Sequence, residues 1–175
     1  MRRGRELDPV SVHGTDVRAI LLCSRRYDDA IREYRTVLTF KPDALGALSQ
    51  LGMTLILKGQ AEEAIPLLEK AVSVSARTPD VVAELIVADS HAGRRWDALR
   101  LLAELKRRKQ SGYVPAAVFV IAYIGLGDNE QALDWLEQAY KERCNLLQLL
   151  KVYPLLDPLR GDPHFADLIH RVGLQ

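Results

Sequence analysis

Apolar residues recur along this chain at three- and four-residue spacing, in stretches broken by glycine or proline. Ile65, Leu68 and Val72 share one stripe of a helix, the pattern of an amphipathic helix with one buried face. Such stretches keep a fixed cadence. Alanine stands at Ala30, Ala64, Ala98 and Ala132, each 34 residues after the last. Glycine keeps the same interval at Gly59, Gly93 and Gly127, with Arg25 in the corresponding first place. Four residues beyond each alanine comes a large side chain (Tyr34, Leu68, Leu102, Leu136), and three further on come Val37, Ala71, Leu105 and Ala139. Columns held in register through four units predict helix–turn–helix hairpins stacked side by side.

Each column has a physical reason. A small alanine suits the point where two helix backbones approach, since extra methylenes would overpack it. A glycine between helices takes a left-handed backbone cheaply because it has no β-carbon. Asp128 is placed to cap the helix after Gly127, and Gln131 three residues on completes a capping-box pattern. The other helix of each unit follows the same interval: "LSQLGMTLILKG" from Leu48, "VAELIVADSHAG" from Val82 and "AVFVIAYIGLG" from Ala117. An earlier, more degenerate one is expected around Val12 to Ser24, with Arg18 in the glycine place. Lys41-Pro42-Asp43, Thr78-Pro79-Asp80 and Pro115 mark helix starts. Pro66 predicts a slight bend, because it lacks the N–H of an intrahelical bond.

These motifs resemble the tetratricopeptide repeat over roughly Ser11 to Cys144. Leu48, Leu51 and Gly52, with Leu55 in the tyrosine place, follow the family's first-helix pattern, while the next unit has Ile86 for glycine and Asp89 for the aromatic. The resemblance implies an all-α, right-handed α-solenoid of about four units plus a C-terminal capping segment. The units would span 11–44 (degenerate), 45–78, 79–112 and 113–144. Residues 1–10 would be an arm or the remnant of a preceding repeat, and 145–175 capping helices. The family's linking proline survives at Pro42, whereas Ala76, Gln110 and Cys144 replace it, so the last junctions are expected to depart from the consensus turn.

The closing stretch "LKVYPLLDPLRGDPHFADLIHRVGL" resembles the tails of repeat arrays at the C-termini of bacterial multidomain regulators. Asp162 and Pro163 read as the cap and first residue of a terminal helix carrying Phe165, Leu168 and Ile169. With Leu156 and Leu159 they are expected to cover the open end of the stack, which a repeat array needs. At the other end, "RELDP" from Arg5 looks like the last turn of a repeat helix. Two readings stay open there: a shortened stand-alone relative of those regulators, which we favour, and a fragment with more array upstream.

Composition narrows the function. With 48% hydrophobic and 27% charged residues, a chain of 175 residues supports a continuous core rather than disorder. The 24 basic and 23 acidic residues leave +1, so no global field favours nucleic acid or an anionic membrane. "KRRK" from Lys106 ends a helix, where cations suit the dipole, and "MRRGR" reads as a solvated arm; neither is interleaved with aromatics as a nucleic-acid surface would be. No apolar run reaches the roughly 18 to 20 residues of a membrane-spanning helix. Two cysteines, Cys23 and Cys144, without a signal-peptide pattern, point to a cytoplasmic protein.

Candidate chemistry is sparse. His13, His91, His164 and His170 are scattered and neither cysteine has a CxxC partner, so no metal or other cofactor is expected. There is no GxSxG motif and no phosphate-binding glycine loop. Glu62-Glu63 and Asp28-Asp29 fall in first turns, where the helix dipole favours them. Asp89, His91 and Glu84 on one helix are the clustered candidates for catalysis, and Asp89 can instead pair with Arg94 or Arg95. No enzyme is expected.

What remains is binding. In the family that this chain resembles, the first helices line a concave groove. Projecting that face gives Ser49, Gln50, Met53 and Ile56, then Asp80, Ala83, Glu84, Val87 and His91, then Val114, Ala117, Val118 and Ile121. The Lys, Arg and Asn with which some members clamp a peptide carboxylate are absent from these places. The expected function is a non-catalytic scaffold or adaptor for a protein or peptide partner, with no nucleic acid and no membrane. The alternative is a homo-oligomerising regulatory fragment, and less favoured is a helical ligand-binding protein or enzyme. The segment from Ala117 to Gly127 is apolar all round, so something must cover it. Either the tail from Leu146 to Leu159 folds back on Val118 and Ile121, which we favour, or that face takes a hydrophobic helix or a second copy.

Overall fold

The computed structural model describes residues 24–174. The helices are α1 (Tyr27–Phe40), α2 (Leu45–Leu57), α3 (Ala61–Val74), α4 (Pro79–His91), α5 (Arg95–Ser111), α6 (Ala116–Leu126) and α7 (Asn129–Lys141). Two 3-10 helices follow, Asn145–Leu149 and Pro154–Leu159, and then α8 (Pro163–Val172). No strand occurs among the described residues. The architecture is an all-α repeat solenoid. From α1 to α5 each helix packs on the next, and α2, α4 and α6 also touch in succession as an inner row, with α1, α3, α5 and α7 outside them. The expected arm and the helix before Ser24, with Cys23, lie outside the described residues.

The 34-residue columns turn out to be the core. Ala30, Ala64, Ala98 and Ala132 are all 0% exposed, as are Leu68, Ala71, Leu105, Leu136 and Ala139. Gly59, Gly93 and Gly127 have φ of 85°, 76° and 76°, and Arg25 holds φ 59° in the same place. The left-handed bend therefore belongs to the position and not to glycine alone. At Gly127 it lets the Asp128 amide reach back to the Tyr123 carbonyl at 3.0 Å, satisfying a helix-end acceptor. Ala76 and Arg143 make the same bend after α3 and α7, at φ 50° and 53°, where no glycine announces it. Asp128 does cap α7, its Oδ1 accepting the Gln131 N–H at 3.1 Å. The reciprocal half of the capping box is not formed, because the Gln131 side chain turns to Asp134.

The junction between α5 and α6 departs from the others. Helix α5 runs 17 residues, against 13 in α4, and ends at an extended Gly112 with φ −172° in place of a left-handed turn. Helix α6 in consequence lies mainly on α4 and only lightly on α5. Gly125 permits that close approach, since a Cβ there would stand 2.7 Å from the Val87 Cα. Glu142, just past α7, supplies the cap that Pro115 cannot, accepting the Ala116 N–H at 2.9 Å.

Gly125→Ala is accordingly expected to cost about 1 to 3 kcal/mol, the usual range for overpacking. Gly52→Ala should cost less: its Cβ would meet Leu68 Cγ at 2.6 Å, a side-chain atom that can re-orient where a backbone cannot. Urea melts of the two variants check the order. Equal losses would mean that α4 and α6 separate freely.

The tail folds back. Leu147, Leu150, Leu155, Leu156, Leu159, Phe165 and Leu168 are buried, whereas Leu149 and Val152 remain 40% and 46% exposed. Capping helices were expected throughout, but the first two elements are 3-10 turns; in the second, Pro154 and Pro158 withhold N–H donors that an α-helix needs. Asp157 in that turn pairs with Arg25 at 2.5 Å, so the tail reaches the beginning of the described stack. Asp162 caps α8 by accepting the His164 N–H at 2.8 Å. On α8, Arg171 pairs with Glu137 and lies 4.9 Å from the Tyr140 ring centre, docking the helix on α7.

Candidate functional site

Two of the clefts that gather ionisable groups lie along α4, and their electrostatics differ. The outer one, about 470 Å³ between α3, α4 and α5, is lined by Glu69, Asp89, Asp97 and Glu104 together with Arg77, Arg94, Arg100 and Arg107. Its charges largely answer each other. Arg77 pairs with Glu104 at 2.5 Å, Arg100 with Asp97 at 3.2 Å, and Arg94 approaches Asp89 at 3.2 Å. Burial pushes the Asp89 carboxyl up, and Arg94 opposes the shift. The Arg94 Nε lies off the line of a hydrogen bond, which leaves Asp89 Oδ1 without a donor. This is a charge-matched seam between repeats, with little left over for a ligand.

The inner cleft, about 400 Å³, is built differently. Asp80, Ala83 and Glu84 come from α4, and Ala117, Val118 and Ile121 from α6, while Leu146, Leu149 and Tyr153 of the tail form the facing wall. Helix periodicity puts Asp80, Ala83 and Glu84 on one side of α4. The repeat register sets neighbouring helices beside them: Gln50, Glu84 and Val118 are successive members of one 34-residue column. The Ser49 hydroxyl from α2 donates to the Glu84 carboxylate, with its Oγ 2.8 Å from Oε1 and 2.6 Å from Oε2. Glu84 keeps partial contact with the cleft. Burial nevertheless pushes its carboxyl up to about 7; Ser49 works against the shift, Asp80 adds to it, and no cation among the described residues acts on the group.

The structure separates the residues of the projected face. Asp80 and His91 are exposed, and Gln50, Glu84, Ala117 and Ile121 are partly so. Ser49 is 9% exposed, while Met53, Ile56, Ala83, Val87, Val114 and Val118 are at 2% or less. The expectation of an open face is corrected at those positions. Val87 lies under Gly125, and the tail shares the cleft with Val118. Nor do Glu84, Asp89 and His91 converge: Glu84 lines the inner cleft, Asp89 the outer one, and His91 neither. Among the described residues no three metal-ligating side chains come together. The Ser49–Glu84 bond went unforeseen, although the 34-residue register holds its signal, since the two residues are 35 apart. Leu149 and Tyr153 enter as part of the tail segment expected to fold back on Val118 and Ile121, the signal being the all-round apolar stretch from Ala117.

No helix among the described residues is long and apolar enough to cross a membrane. Residues 44–78 match the family model of the tetratricopeptide repeat, a stretch that holds α2 and α3 as one hairpin. No curated protein matches the chain.

Proposed function

We propose that this chain, whose residues 44–78 match the tetratricopeptide-repeat model, is a non-catalytic scaffold that holds a segment of a partner protein against its inner face, beside α4 and α6. The supporting observation is the inner cleft, concave and mostly apolar, with the carboxylates of Asp80 and Glu84 set into it. The sparse cysteines and near-balanced charge fit a cytoplasmic setting. A photo-crosslinking side chain at Ala117 is expected to capture a host protein that the same group at Glu62, exposed on the outer α3, does not. Capture from Glu62 alone, or turnover of a substrate that one side-chain replacement abolishes, would refute the proposal.

A second reading, self-association of a regulatory fragment, draws on α5. Trp96 there is 86% exposed, and Leu99, three residues on along the helix, is 36% exposed. A dimeric mass by light scattering that Trp96→Ala returns to a monomer would favour it.

A further inference from the structure

We infer that the inner cleft takes a lysine or arginine side chain from the partner, its charged head against Glu84 and Asp80 and its alkyl stem along the apolar wall. This rests on the reading of the inner face as the partner's seat.

The case begins with an exception. Elsewhere the chain answers its poorly solvated carboxylates with its own cations: Arg94 stands 3.2 Å from Asp89, Arg77 is 2.5 Å from Glu104, and Lys109 is 3.8 Å from Glu142. Glu84 has no such neighbour among the described residues, and the nearest charge acting on it is the like charge of Asp80. Its single donor among the described residues is Ser49, equidistant within 0.2 Å from both carboxylate oxygens. A hydroxyl carries one hydrogen, so one oxygen of Glu84 is left without a donor at any instant. That oxygen belongs to a cleft, where a ligand can reach it.

Shape and register specify the rest. Ala83, Val118 and Leu149 give an apolar wall. Long basic side chains lay their methylenes on such walls while the head stays at a polar site. A volume of about 400 Å³ is in the range of a pocket for one large side chain and its flanks. Along the inner row the 34-residue column reads Gln50, Glu84, Val118. A segment lying across it meets an amide, then a carboxylate, then a hydrocarbon. The partner should therefore place an apolar residue beside its basic one, on the α6 side.

Among the described residues the groups around Glu84 are Asp80 on its own helix, Ser49 from α2, and Cys144 and Tyr153 from the tail; α6 brings no ionisable group to the cleft. Binding of a cation should then strengthen between pH 6 and pH 8, as Glu84 gives up its proton.

Selection of a random decapeptide library on phage against the full chain tests the inference. Enriched sequences are expected to carry Lys or Arg next to an apolar residue. One of them, synthesised, should bind Glu84→Gln at least tenfold more weakly and Asp80→Asn less than tenfold more weakly, both variants melting cooperatively. Its affinity for the parent protein should rise from pH 6 to pH 8. Enriched peptides that lack a basic residue, or that ignore both substitutions, while a cleft-filling Ala117→Trp still abolishes their binding, would overturn the inference and leave the scaffold reading intact. Failure to enrich, or binding that Ala117→Trp does not touch, would overturn both. A dimer that Glu84→Gln dissolves would make a second copy the occupant and overturn the inference.

Discussion

Glu84→Gln is expected to stabilise the folded protein by about 2 to 3 kcal/mol at pH 8 and by close to nothing near pH 4.5. The folded carboxyl titrates at about 7, the unfolded one at the ordinary 4.5. Between those values the native state holds a proton that the unfolded chain has released, so stability falls as pH rises through that window. Below it both states are protonated; above it the full penalty of a buried anion applies. At about 1.4 kcal/mol per unit the gap is on the order of 3 kcal/mol, and partial solvent contact through the cleft trims it. Glutamine keeps the shape and the bond to Ser49 without the charge. Urea melts at pH 5, 6, 7 and 8 should show the two proteins diverging, with the variant ahead at the alkaline end. A constant difference across that range would mean that Glu84 titrates like a solvated side chain. A carboxylate that weakens the fold at neutral pH is the kind of residue that function retains against stability.

The repeat frame was legible because the residues that set it are the ones that pack. Ala64 and Leu68 sit in the register columns and are fully buried, so their identity reports their contact. The bends at Gly59, Gly93 and Gly127 were legible for the same reason: glycine is chosen where the backbone demands it. Ala76 and Arg143 make equal bends unannounced, because neighbouring helices can impose a left-handed residue at a modest local cost. The inner face was legible only in part. A helical projection places Glu84 and Val87 on one surface, yet cannot know that Gly125 draws α6 down over Val87. That the tail covers Val118 is legible instead from the all-round apolar stretch Ala117 to Gly127, which needs a cover. Burial at those positions is set by residues 28 to 38 apart in sequence, whereas periodicity records only the near ones.

Removal of the tail is expected to cost the protein its soluble monomeric state. A chain ending at Cys144 loses Leu147, Leu150, Leu155, Leu156, Leu159, Phe165 and Leu168, each buried against the stack. Burial of one such side chain stabilises by about 1.5 to 3 kcal/mol, and a domain as a whole is held by roughly 5 to 15. The last repeat would also bare α6, whose Val118, Phe119 and Val120 are at most 1% exposed in the intact chain. Aggregation or a collapsed melting transition follows; an unchanged Tm in a soluble monomer would show that the tail does not close the stack. Leu156→Ala probes the same contact more gently, and a fully buried leucine cut to alanine should lose about 2 to 5 kcal/mol, seen as a Tm lower by roughly 4 to 20 °C. Asp157→Ala next to it should move Tm far less, because its pairs with Arg25 and Arg160 are partly open to solvent. The tail is also a wall of the inner cleft, so loosening it returns water to Glu84. In a Leu156→Ala background the gain from Glu84→Gln at pH 8 should therefore shrink, a coupling that a double-mutant cycle reads directly. Full additivity would separate the two, leaving the tail as a cap on the stack with no part in tuning the cleft.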